Sequence, residues 1–487
     1  MQKKINLTEG GIVEKLVKIA IPIMATSFIQ IAYNLIDMMW VGKNGSNSVA
    51  AVGTAGFYPW LAMAFVMFSK IGGEVKVAQS MGEKNIKEVK SYIKSSIELN
   101  VFLSLTYSLI LILFNKQLID IFNLGNAEVI SMSRQYLVIL GLGMIFYFIN
   151  PVFTSIFIGL GNSSIPFRIN TIGLIANIIL DPLLIFGFGP IPALGTNGAG
   201  IATISAQIVV SFVFIGYIIK NRIEYFKVRY FRKIELKYFK ILYKLGFPVA
   251  IQNALFTLIS MAMGVIVASF GPVAVAVQKV GSQIESISWM SADGFASALS
   301  TFTGQNYGAY KFDRIDKGSK IGLIGAIIWG SITTVVLVFF GDVIFRAFIN
   351  EQDAIIKGID YLRILGYSQL FMCIEITITG ILKGLGRTYI PSFISIALNL
   401  ARIPMAIVLS KPDILGINGI WWSISISSIF KGIILLSIFV ISSIRLTVLI
   451  CHKDKAFKCI FLIPDLQNSN LGIRFSNLYT MLAGSRR

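Results

Sequence analysis

Asp181 stands in the stretch "ANIILDPLLIFGFG", residues 176–189, where Asn177 is the only other polar side chain. A carboxylate in so apolar a run is costly to bury, and an intramembrane acid is by default a functional residue. Asn177 and Asp181 are i and i+4, on one face of a helix. Pro182 lacks an N–H and crowds the carbonyl four residues back, which frees the Ile178 carbonyl beside the acid. A second acid, Asp37, follows Asn34 by three residues in another apolar stretch, and Thr203 lies in a third. Two carboxylates, an amide, a hydroxyl and a loose carbonyl make an all-oxygen shell suited to a hard monovalent cation. The same two acids could instead share a proton, because desolvation and like charge both oppose ionising the pair together.

The elements that must position these groups are membrane helices. Only 14% of the 487 residues are charged, against about 25% in soluble proteins, and the mean hydropathy is +0.75. Twelve apolar spans are expected, at about 16–40, 49–72, 92–114, 131–158, 167–188, 199–219, 246–270, 273–302, 319–341, 362–382, 391–409 and 419–444. Each approaches the roughly 20 residues that cross a bilayer. The first is expected to be a retained helix, since no small-residue cleavage site follows it. Cys373, Cys451 and Cys459 form neither a disulfide framework nor a zinc pattern, and the sole histidine, His452, is in the tail.

The net charge of +19 is distributed as the positive-inside rule demands. With a cytoplasmic N-terminus, the inner segments 76–94, 220–244 and 311–320 hold the cations, nine of them in 220–244, while outer loops 41–48, 189–198 and 271–272 hold only Lys43. Both termini are therefore expected in the cytoplasm of a multi-pass plasma (inner) membrane protein. The segment 220–244 interleaves aromatics with its cations, a pattern that can bind RNA, but an interfacial helix on the anionic inner leaflet is the expected form; the bilayer, not nucleic acid, is its partner.

The chain is written twice. "GLGNSSIP" at 159–166 returns as "GLGRTYIP" at 384–391, "LGTNG" at 194 as "LGING" at 415, "AIPIMA" at 20 as "GFPVAI" at 246, and Gln79 and Gly82 as Gln305 and Gly308. Each half holds six helices, an even number, so the two bundles are related by a pseudo-two-fold along the membrane normal. The expected domains are an N-terminal lobe 1–219, a basic connector 220–244, a C-terminal lobe 245–444 and a tail 445–487 without counterpart. Two parallel bundles around a cleft suit alternating access better than a pore.

The ionisable groups are not duplicated: Asp37 faces Met263 across the repeat, Asp181 faces Ala406, and Glu375 faces Asn150. At about 1.5 Å per residue, Asp181 is roughly 22 Å along its helix, at a level Asp37 and Thr203 share. In the second half Glu285, Glu375 and Arg402 come to similar depth near the midplane. They read either as a charge network lining the cleft, its acids left to meet a cationic substrate, or as a salt bridge holding three helices together. Gln252 is a further cleft candidate.

"YNLIDMMWVG", "NIILDP", "GAGIAT" and "GQNYGA" resemble motifs of the multidrug and toxic compound extrusion (MATE) family, over about residues 10–440, closest to its DinF-like prokaryotic branch. The resemblance implies a Na⁺- or H⁺-coupled antiporter exporting cationic amphipathic compounds. A monomer with no cofactor beyond the coupling ion is expected. In that branch the coupling site falls on Asp37, Asn177, Asp181 and Thr203; the helix 7 acid of other branches is missing from "FPVAIQNALFTLIS". A flippase for a lipid-linked oligosaccharide is the main alternative, although its pyrophosphate would want a cleft richer in Arg and Lys. An intramembrane enzyme would need a nucleophile–base or metal constellation that the spans do not supply, so no catalytic residues are expected.

Overall fold

The computed structural model describes residues 6–453 except 233, 349 and 350, and leaves the side chains of Asn34, Leu35 and 442–453 undescribed. The first half contains α1 (Ile12–Lys43), α2 (Ser46–Ala55), α3 (Phe57–Gly82), α4 (Ile86–Leu113), α5 (Asn115–Asp120), α6 (Ala127–Gly159), α7 (Ser164–Phe186) and α8 (Thr196–Lys220). The second contains α9 (Leu236–Ala268), α10 (Pro272–Gly308), α11 (Phe312–Phe339), α12 (Gly341–Arg346), α13 (Gln352–Gly384), α14 (Tyr389–Leu400), α15 (Arg402–Leu409) and α16 (Ile417–Lys453). Apart from an isolated bridge between Phe188 and Ile191, no strand pairing occurs among the described residues.

Eleven helical stretches among the described residues are long and apolar enough to cross a membrane. The twelfth span, α10, is as long as any but carries Lys279, Glu285, Asp293 and a series of serines, so its length rather than its composition marks it. The protein is thus an all-α, multi-pass membrane protein of two six-helix bundles.

The two halves share only part of their backbone detail. Asn85 and Asn126 cap α4 and α6 by accepting main-chain N–H bonds in their first turns. The α6–α7 and α13–α14 turns each place a glycine in the left-handed region, Gly161 at φ +82° and Gly386 at +77°, which other residues adopt only with strain. One expected span is broken: 391–409 divides at Ala401 into α14 and α15. Pro404 explains the break, since its ring crowds the Leu400 carbonyl and it donates no bond there. Pro182, by contrast, stays inside a continuous α7.

Two apolar cores hold the bundles. One contains Leu111, Phe148, Phe157 and Phe214; the other contains Phe345, Tyr361, Leu362 and Trp421. Between the halves, α1 packs on α10 and α3 packs on α9 and α10. The close approaches all lie toward the end of the molecule that carries the basic loops: Met24 against Gly294, Phe68 against Gly246, Leu242 against Gly72. Closest of all are Gly82 and Gly308, where a Cβ on either would run into the carbonyl of Gln305 or Gln79.

The connector differs from the expected interfacial helix. α8 ends at Lys220 and α9 begins at Leu236, so the basic stretch divides between a loop and the first turns of α9. The loop holds a single 3-10 turn, Glu224–Phe226. Its aromatics turn inward: Tyr225 and Phe226 are buried, and Phe226 stacks on Phe157 with centroids 5.6 Å apart. The Phe231 N–H donates to Glu98 Oε1 at 2.7 Å. Two adjacent buried aromatics cannot share one face of a surface helix, and they gain more by packing into the lobe. The tail beyond 453 lies outside the described residues.

Candidate cation-binding site

Asp181 and Asn177 are both fully buried on α7, each 0% exposed, and one turn apart as the spacing requires. Asn177 Nδ2 donates to Asp181 Oδ1 at 3.1 Å. That bond leaves Asn177 Oδ1 and Asp181 Oδ2 buried with no hydrogen-bond partner among the described residues.

α7 packs on both α1 and α8, and α1 brings the second acid. Asp37 lies within electrostatic reach of Asp181, and its buried Oδ1 has no partner either. Tyr33, four residues before Asp37 on the same helix face, adds a hydroxyl. It lies beside Thr203 of α8 and feels both acids, yet does not reach hydrogen-bond geometry with either. Tyr136 of α6 also faces the acid pair. Asp37, Asn177 and Asp181 therefore come together where α1 packs on α7, and Thr203 of α8 joins them only through Tyr33; the Asn34 side chain lies outside the described residues. Above them Trp40 packs edge-on against Phe186 at 6.1 Å, with the Lys43 ammonium 4.5 Å from its ring centre.

Four unpartnered oxygens in one place are the signal. A buried acceptor left unsatisfied costs about 1–3 kcal/mol, and more when charged. Tyr33 Oη, Asp37 Oδ1, Asn177 Oδ1 and Asp181 Oδ2 together form a cluster that a bound cation or proton would satisfy. The donor set is all oxygen and carries at most two negative charges, which fits a hard monovalent ion. Tyr33 was legible as the residue one turn before Asp37; the bare sequence gives it no more weight than any aromatic at a helix end.

The second half holds a different polar cluster. Glu285 on α10 accepts from Gln369 Nε2 at 3.3 Å and from the Tyr361 hydroxyl at 3.5 Å, both on α13. Glu375, also on α13, is not left open: Lys431 Nζ stands 2.9 Å from its Oε2, and Ser395 Oγ donates to its Oε1 at 3.1 Å. Arg402 donates to Ser427 at 2.7 Å and Ser428 at 3.2 Å on α16, within electrostatic reach of both acids. The three residues singled out from the sequence thus keep separate hydrogen-bond partners, while Arg402 and Lys431 each lie within electrostatic reach of both acids; the position of Lys431 in the last apolar span was the available clue. Gln252 is half-buried on α9 and takes no part in these bonds. Asp293 is exposed.

The equivalent joint in the first half is neutral. There Asn150 of α6 donates to the Gln207 side chain at 2.7 Å and accepts from Ser211 at 2.7 Å, both on α8. One helix pair is tied by amides in the first lobe, and its counterpart by an ion pair in the second.

The model of the MatE family matches two segments, residues 22–183 and 248–408, one in each half. A probable multidrug resistance protein NorM of Thermotoga maritima is 27% identical over 427 residues, covering 88% of this chain and 92% of its own. A probable multidrug resistance protein YoeA of Bacillus subtilis is 29% identical over 82% of this chain and 88% of its own. Among solved structures, an outward-facing conformation of a multidrug resistance MATE transporter superposes with a TM-score of 0.84 at 20% identity, over 91% of this chain and 99% of that one.

Proposed function

The chain belongs to the MatE family of transporters, and from that premise we propose that it is a cation-coupled antiporter exporting cationic, amphipathic small molecules by alternating access. The observation that carries this reading is the cluster of unpartnered oxygens on Tyr33, Asp37, Asn177 and Asp181, a site built for one small cation or proton. The multidrug-resistance names of the relatives support the choice of drug-like substrates.

In this reading the basic end faces the cytoplasm of a plasma (inner) membrane, and the lobes 1–219 and 245–444 rock about the cleft as one functional monomer. Asp37 and Asp181, both ionised, favour an organic cation in the cleft. When Na⁺ or H⁺ enters from outside, it bridges or neutralises the two carboxylates and removes that attraction. α1 then repacks on α7 and the drug leaves outward. Asn177 orients Asp181 through its 3.1 Å bond, while Thr203 and Tyr33 complete the oxygen shell. One charge moved across 100 mV supplies about 2.3 kcal/mol.

A lipid-linked oligosaccharide flippase would need cations free to meet a pyrophosphate. Lys431 faces Glu375, and Arg402 is held by two serines, so the second-half cluster offers poor support for that alternative.

The test is efflux of a fluorescent organic cation from loaded proteoliposomes under an imposed Na⁺ gradient or, separately, a pH gradient. One gradient is expected to drive efflux. If neither moves any cation tested while a labelled lipid-linked sugar is flipped, the flippase is the correct reading.

A further inference from the structure

The strongest unassigned feature is a groove of about 880 Å³ at the basic end, between the first turns of α4 and the connector. It is lined by Lys87, Lys90, Lys94, Arg229, Arg232 and Glu235, among others. Lys90 pairs with Glu224 at 3.0 Å and Lys94 with Glu98 at 3.8 Å. Lys87, Arg229 and Arg232 are exposed and have no ion pair among the described residues. The coupling mechanism uses none of the five.

Depth and face identify what such a groove would hold. The lysines of α4 all lie between Ile86 and Glu98, and Leu99 to Leu113 carries no charge, which fits lysines at headgroup level and the rest of the helix in hydrocarbon. Lys87, Lys94 and Leu105 are spaced by seven and eleven residues, near two and three helical turns, and therefore share one face. On and beside that face Phe102, Leu105, Leu109 and Leu113 are all exposed. The apolar stripe starts at Phe102, eight residues or about 12 Å beyond Lys94, past a buried stretch of α4, 92–98. A free phosphate would use only the groove; an anionic lipid would place its headgroup among the cations and reach the stripe with an acyl chain that spans that stretch.

We propose that this groove is a binding site for the phosphate headgroup of an anionic phospholipid in the leaflet at the basic end. Arg229 and Arg232 can grip phosphate oxygens in the planar, two-pronged manner of guanidinium, and Lys87 adds a mobile charge. The ligand bridges α4 to the connector, whose far side is α9, and so sits on the only covalent link between the lobes. Tyr225 and Phe226, buried in the first lobe, hold the connector's cations at a fixed place on the rim.

The experiment is native mass spectrometry of the full-length protein in mild detergent, titrated with dioleoyl phosphatidylglycerol or phosphatidylcholine, with and without inorganic pyrophosphate. K87Q/R229Q/R232Q changes only exposed groove residues; K220Q/K244Q/K317Q removes the same charge elsewhere on the basic end. The parent and the second variant should retain phosphatidylglycerol over phosphatidylcholine by at least about tenfold, and the groove variant should lose that preference. If pyrophosphate binds with the same variant dependence and displaces the lipid, the phosphate chemistry stands and a soluble phosphate is an alternative source. If both variants lose the preference equally, or neither does, retention reflects net charge and the proposal is overturned.

Discussion

Gln79 and Gln305, 226 positions apart, make the same bond from opposite lobes. Gln79 Nε2 donates to the Gly384 carbonyl at 2.9 Å, and Gln305 Nε2 donates to the Gly159 carbonyl at 3.0 Å. Each amide crosses from one half to the other. Together with the bare backbones at Gly82 and Gly308, they latch the lobes at the basic end.

The latch predicts a conformational effect. A buried hydrogen bond is worth about 1 kcal/mol, so Q79A/Q305A should move the balance between the two access states by roughly tenfold or more, toward the state open at this end. Spin labels at the exposed Glu83 and Asp313 report it: the double variant should show a longer distance population. An unchanged distance distribution would remove the latch from the mechanism.

Tyr33 separates a ligand from a bystander. Its hydroxyl is buried without a hydrogen bond, so Tyr33→Phe removes nothing that packing needs. If the hydroxyl completes the cation shell, the substitution weakens the driving ion's affinity by roughly five- to tenfold with thermal stability unchanged. An affinity left at the parent value would assign the hydroxyl to the cleft wall.

The Glu375–Lys431 pair is expected to act through stability. Removing one partner of a buried ion pair strands the other charge, at a cost of about 3–5 kcal/mol. Lys431→Met or Glu375→Gln alone should lower the thermal midpoint in detergent by several degrees, and E375M/K431M together should recover most of it. Transport regained in the double variant marks the pair as structural. Stability regained without transport would give the pair a part in the transport cycle.

Much of this was legible in the chain. The apolar spans, the repeat and the convergence of Asp37, Asn177 and Asp181 follow from helix periodicity and a rise of about 1.5 Å per residue. What escaped was set by tertiary contact. Lys431 lies in an apolar run whose partner, Glu375, is 56 residues away in sequence, and no local pattern pairs them. The connector's aromatics read as those of an interfacial helix, and only the tertiary contact with Phe157, which supplies a ring for Phe226 to stack on, turns that pair inward. The break at Ala401 was foreseeable from Pro404, yet Pro182 leaves α7 unbroken, so proline alone does not decide.

Whether the acids at the α1–α7 junction couple ion to drug can be measured without a gradient. A fluorescent organic cation is bound to the purified transporter at equilibrium, and Na⁺ or H⁺ is titrated against it in the parent and in Asp181→Asn. In the parent, one of the two ions should displace the organic cation, and in Asp181→Asn that displacement should vanish while the fold, followed by circular dichroism, is kept. Displacement that persists undiminished in Asp181→Asn would place the competition elsewhere and contradict the coupling site proposed for Asp37, Asn177 and Asp181.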